Sequence, residues 1–164
     1  MARTLAEEIG KKRPFDCPEQ EAHLNVMRTA SVLGARFGAL FRKHGLTEST
    51  YNLLRILRGA TVTGPGRRAC HELGEQLIAR VPDVTRLVDG LERRGLAERC
   101  RCEKDRRVVH VQITRKGLDV LGRLDGPTLE LHRAQLGHMS KAELAELSRL
   151  LVAARAGRVP APRS

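Results

Sequence analysis

Arginines set the chemistry open to this chain. Lys104, Asp105, Arg106 and Arg107 form one charged turn, and Arg80, Thr85, Arg86 and Arg93 lie shortly upstream. A guanidinium presents a planar fork of N–H donors that matches phosphate oxygens or the major-groove edge of guanine. Residues 93 to 107 hold seven basic side chains against three acidic ones, a density suited to a polyanion. A second set would do different chemistry. Strand periodicity puts Cys100 and Cys102 on one face, and a hairpin centred near Asp105 sets His110 across from Cys100. Three soft or borderline ligands would then converge, but zinc normally takes a fourth ligand or keeps an open position, and no further ligand is evident nearby. Plain thiols and a solvated histidine are the simpler reading, so no metal and no cofactor is expected. No nucleophile-base pair, phosphate-cradling glycine loop or paired acids stand out, which argues against an enzyme.

The overall charge agrees with the turn. Thirty Lys and Arg against nineteen Asp and Glu give +11, which favours phosphate contacts with counterion release. Aromatic content is only 2%, so the stacking platforms of single-strand and RNA binders are largely missing and duplex DNA is the expected partner. At 164 residues one domain is expected, and no stretch is long and apolar enough to cross a bilayer. The N-terminus lacks the apolar centre of a secretory leader, which gives a cytoplasmic expectation. Cys17, Cys70, Cys100 and Cys102 are too few and too uneven for a disulfide scaffold and are read as free thiols.

These side chains need elements to hold them. Residues 1–17 read as a basic lead-in arm ending at Lys11-Lys12-Arg13-Pro14, either a solvated tail or an auxiliary contact to DNA. Pro18 opens a long helix with Leu24, Met27, Leu33, Phe37, Leu40 and Phe41 on one side and a stop at His44-Gly45. Ala30, Gly34, Ala35, Gly38 and Ala39 are small enough for another helix to approach. Thr47 caps a second helix that buries Tyr51, Leu54, Ile56 and Leu57, and Gly59 is expected to end it before a loop over 61–66. A third helix over 69–78 packs through Leu73 and Leu77. Pro82 suits the first turn of a fourth helix, Asp83 complements its positive end, and Val84, Leu87, Val88 and Leu91 face inward. Thr85, Arg86, Asp89 and Arg93 are then outward.

After Gly95, residues 97–102 and 108–113 alternate in character around the charged turn and read as a hairpin. Thr114 caps a helix with Leu118, Leu121 and Leu124, which Asp125-Gly126-Pro127 is expected to interrupt or kink. Ser140-Lys141-Ala142-Glu143 is a capping box ahead of a last helix carrying Leu144, Leu147, Leu150 and Leu151. The expected fold is mostly α with a small β-hairpin wing, a winged helix-turn-helix over 46–113. The helices over 18–45 and 114–156 carry more apolar surface than that unit can cover, so they are read as a dimerisation domain, with 157–164 a tail. A homodimer would set two reading helices on one duplex.

In this order the residues resemble the multiple-antibiotic-resistance repressor (MarR) family. The likeness rests on Gly45-Leu46-Thr47, on Val84-Thr85-Arg86-Leu87-Val88-Asp89-Gly90-Leu91-Glu92 with Arg94-Gly95-Leu96, on Asp105-Arg106-Arg107, and on Thr114-Arg115-Lys116-Gly117, spanning residues 20 to 155. It implies a homodimeric transcription factor, usually a repressor, released from a palindromic operator by a small molecule or by thiol oxidation. By motif, Thr85 and Arg86 would contact the major groove, Arg107 would enter the minor groove, and Asp105 would orient Arg107. Arg106 and Lys104 would add phosphate contacts, and Arg80, Pro82, Asp83 and Arg93 complete the expected DNA-facing set. Arg80 stands where the family often has a capping Ser, so the reading helix is capped differently or Arg80 itself touches phosphate. Cys17 precedes the place of the family's peroxide-sensing cysteine, and the implied effector pocket has no residue that names its ligand. Two other readings stay open: a metal or redox sensor using the wing cysteines, and a nonspecific architectural DNA binder or protein-binding dimer.

Overall fold

The computed structural model describes residues 3–101 and 109–157. In chain order the elements are α1 (Leu5–Glu8), α2 (Pro18–Arg42), α3 (Glu48–Thr63), β1 (Arg67–Ala69), α4 (Cys70–Gln76), α5 (Val84–Arg93), β2 (Ala97–Arg101), β3 (Val109–Ile113), α6 (Arg115–Leu136) and α7 (Lys141–Ala156). Two compact units divide at Thr128, inside α6.

The first unit holds the sheet and its core. The three strands run in the order β1-β3-β2, all antiparallel, with Ala97 opposite Ile113 and Cys100 opposite His110. Leu53, Leu54 and Leu57 of α3, Leu73 of α4, Val88 and Leu91 of α5, Val111 of β3, and Leu121 and Leu124 of α6 are all essentially without solvent contact. Burying a side chain of this size is worth about 1.5–3 kcal/mol, so this cluster dominates the unit's stability. Thr47 caps α3 and accepts from the Thr50 amide at 3.2 Å, as the sequence led us to expect.

Four segments differ from expectation. The lead-in is not wholly an extended arm: Thr4 and Glu7 form a capping box around α1, Leu5 is buried, and Glu8 pairs with Arg28 of α2 at 3.2 Å. Gly59 does not end α3, because Ala60 in the following turn is buried and the Thr61 and Thr63 hydroxyls bond back to the Arg58 and Gly59 carbonyls at 2.7 and 3.1 Å. Gly66, at φ 76°, makes the turn instead and donates its N–H to the Ala60 carbonyl. Two arginines and an alanine, without alternation, then form β1, a strand the sequence did not announce.

The fourth difference is α6, which runs through Asp125-Gly126-Pro127 without a break. Proline removes one helix hydrogen bond at a cost of about 3 kcal/mol. Here Pro127 and Arg123, whose carbonyl loses its partner, lie on the exposed side, while Leu121, Leu124 and Thr128 are buried on the other. Arg58 also grips Asp125 with two hydrogen bonds of 2.8 Å, holding the helix to α3 just before the proline.

The second unit is simpler. Ser140 and Glu143 form the expected capping box of α7, and Arg149 pairs with Glu146 at 2.7 Å. No residue of α7 is buried, and Leu150 and Val152 are more than half exposed. None of the described helices is long and apolar enough to cross a membrane.

Candidate nucleic-acid interface

The helix α5 begins at Val84, two residues later than Pro82 suggested. Asp83 is its N-cap, with extended backbone and a carboxylate that accepts from the Arg86 amide at 3.0 Å. That settles how the helix is capped in a chain with Arg80 upstream: the cap is Asp83, and Arg80 and Pro82 lie exposed in the connection from α4. The same connection is tied to α3, where Asn52 accepts the Ile78 amide at 2.9 Å.

Along α5 the apolar residues point one way. Val88 and Leu91 are buried, Val84 and Leu87 are half-buried against the same core, and Thr85, Arg86 and Arg93 are exposed on the outer side. Asp89 was expected among the outward residues, but it belongs to a clamp. Arg99 of β2 reaches Asp89 Oδ1 and Glu92 Oε2 at 2.5 Å each, and its own backbone N–H donates to Glu92 Oε1 at 3.1 Å. The hydrogen bond to Asp89 is the main reason the Arg99 guanidinium holds its proton more tightly than usual.

Arg94 is likewise committed. It donates to the Gly45 carbonyl through Nη1 and to the His44 carbonyl at 2.8 Å through Nη2, joining the end of α5 to the turn after α2. Two of the seven basic residues between 93 and 107 therefore serve the fold, a distinction that counting charge misses. The signal for Arg99 was present in α5 itself, where two acids three residues apart share one face of a helix.

Lys104, Asp105, Arg106, Arg107 and Cys102 lie outside the described residues. Cys100 does face His110 in the strand register, as expected, and His110 Nδ1 is buried without a hydrogen-bond partner among the described residues. Among the described residues no three potential metal ligands come together. Cys17, Cys70 and Cys100 are free thiols, and burial pushes the Cys70 thiol above its ordinary value.

A winged helix-turn-helix of this geometry is found in known proteins. The MarR family model matches residues 46–109, from the turn before α3 to the start of β3. A MarR transcription factor from Planctomyces limnophilus is 38% identical, with 84% of this chain and 98% of that one aligned and a TM-score of 0.64. This chain belongs to the MarR family. MarR proteins are DNA-binding transcriptional regulators, not enzymes. The transcriptional repressor IacR of Pseudomonas putida is 27% identical over 123 residues, covering 68% of this chain and 72% of the repressor. The fold is shared with the MarR-family regulator Sco3205 of Streptomyces coelicolor, solved in complex with DNA, at 20% identity and a TM-score of 0.76, with 92% and 95% of the two chains covered.

The MarR motif residues have structural work here. Gly45 sits at φ 68°, and an added Cβ would come within 2.7 Å of Arg94 Nη2. Gly95 sits at φ 66° and its carbonyl accepts from the Thr114 hydroxyl at 2.7 Å, while Lys116 Nζ donates to the Arg94 carbonyl at 2.8 Å. Thr114 also caps α6, accepting from the Gly117 amide at 3.1 Å. The motifs thus lock the ends of α2, α5 and α6 to one another.

Proposed function

We propose that this MarR protein is a repressor that binds an inverted-repeat operator as a homodimer and leaves it when a small molecule binds. Support for the DNA-facing surface comes above all from α5, which stands on Val88 and Leu91 while Thr85, Arg86 and Arg93 face solvent. In this reading Thr85 and Arg86 enter the major groove, Pro82 and the capping Asp83 set the start of α5 at that groove, Arg80 and Arg93 lie along the phosphates, and Arg107, oriented by Asp105, enters the minor groove with Lys104 and Arg106 on the backbone.

Residues 46–113 form the DNA-binding unit, and the helices within 18–45 and 114–156 form the dimerisation domain. Val26, Met27 and Val32 of α2 are exposed, and α7 buries none of its leucines, so each has apolar surface for a second copy to cover. Three of the four aromatic residues, Phe37, Phe41 and Tyr51, gather between α2 and α3, with Phe41 and Tyr51 stacked at 4.1 Å. These rings pack α2 against α3, and an effector would act by changing the spacing of the two reading helices.

Genomic footprinting with the purified protein supplies the operator, and Arg86→Ala tests the assignment. Loss of a bidentate base contact costs about 1–3 kcal/mol, so operator affinity should fall by about five- to 150-fold with the dimer intact. Unchanged affinity would remove α5 from the interface.

A further inference from the structure

We propose that Arg99 is the positioning residue that sets the angle of the reading helix against the wing sheet, and through it the preference for operator over random DNA. This rests on the DNA-binding reading above. From one position on β2, Arg99 reaches three α5 residues: Asp89 and Glu92 at 2.5 Å each, and the Thr85 carbonyl at 3.4 Å. Its Cα partner in the sheet is Val111 of the central strand β3, which is fully buried, so the fork is anchored beside the packed strand of the sheet.

Asp89 and Glu92 lie three residues apart, and a planar fork bonded to both resists rotation of α5 about its axis, which one contact would not do. The Thr85 carbonyl belongs to a residue of the outward face, so the brace acts directly behind the side chains that meet the bases. Arg99 is three-quarters buried and held by both acids, and it is therefore not itself a free phosphate contact.

Lysine separates positioning from charge, because it keeps the cation but lacks the fork. Arg99→Lys should bind operator about tenfold more weakly, while its affinity for random duplex and the slope of log affinity against log salt stay at wild-type values. The triple variant Arg99→Gln, Asp89→Asn, Glu92→Gln removes the brace without leaving an unpaired acid, and it should lose the same preference. In the DNA-free protein, amides of α5 should exchange faster in Arg99→Lys while those of α3 do not. If charge neutralisation alone were at work, Arg99→Lys would match wild type and the triple variant would recover. Either result overturns the proposal, as does a uniform loss of all binding with collapse of the melting transition. Should wild-type protein show no operator preference, the DNA reading falls, and the exchange comparison alone then decides whether Arg99 holds α5.

Discussion

Asp125 accepts both arms of the Arg58 guanidinium at 2.8 Å, with Arg55 at 3.7 Å, and the Arg58 hydrogen bonds hold its carboxyl below the usual aspartate range. A depressed folded-state value means stability that is present above the unfolded aspartate pKa of about 3.9 and lost as pH falls through the lower folded value. The Asp125 side chain is 44% exposed, so solvent screens the pair and Asp125→Asn should cost only about 1 kcal/mol at pH 7. Urea melts from pH 7 to pH 3 should show that difference shrinking toward the acid end; an undiminished gap at pH 3 would contradict the pairing. The outward residues of α5 were legible because a helical repeat sorts Thr85, Arg86 and Arg93 from Val88 and Leu91 within ten residues of chain. Asp89 was not, since its partner Arg99 arrives from a strand and periodicity describes one element at a time.

Helices and strands were legible in proportion to their local signals. Thr47 and Ser140 placed the starts of α3 and α7 well, and alternation placed β2 and β3. β1 has no alternation to read and forms because β3 offers it an edge. Gly59 and Pro127 misled for one reason: breaker residues report backbone preference, while Ala60, Leu124 and Thr128 beside them are held by tertiary packing. The same competition gives a paired test within α6. A Cβ at Gly117 would lie 2.2 Å from the Leu96 carbonyl oxygen, whereas one at Gly122 meets nothing within 4 Å. Gly117→Ala should therefore destabilise by about 1–3 kcal/mol and Gly122→Ala stabilise by about 0.5–1 kcal/mol in denaturant melts. Equal effects would mean that α6 does not seat on the turn at Leu96.

The proposed dimer is the level at which the chain's sequence says most by surplus. Exposed Val26, Met27 and Val32 on α2, and an α7 with nothing buried, ask for a second copy without giving its angle. Met27→Asp places a charge on that surface, and sedimentation should show it shifting the protein toward monomer at micromolar concentration while the wild type stays dimeric. Because two linked reading heads bind far more tightly than one, operator affinity should fall with it. A site for the proposed effector and the sequence of the proposed operator were not legible, since both are set by small differences among many polar contacts and by a partner outside the chain. The decisive experiment is quantitative binding of the purified protein to its footprinted site and to random duplex at one physiological salt concentration. Two protomers per site and a preference of about a thousandfold or more are expected. Equal affinity for the two duplexes would contradict the reading of α5 as a sequence-specific element.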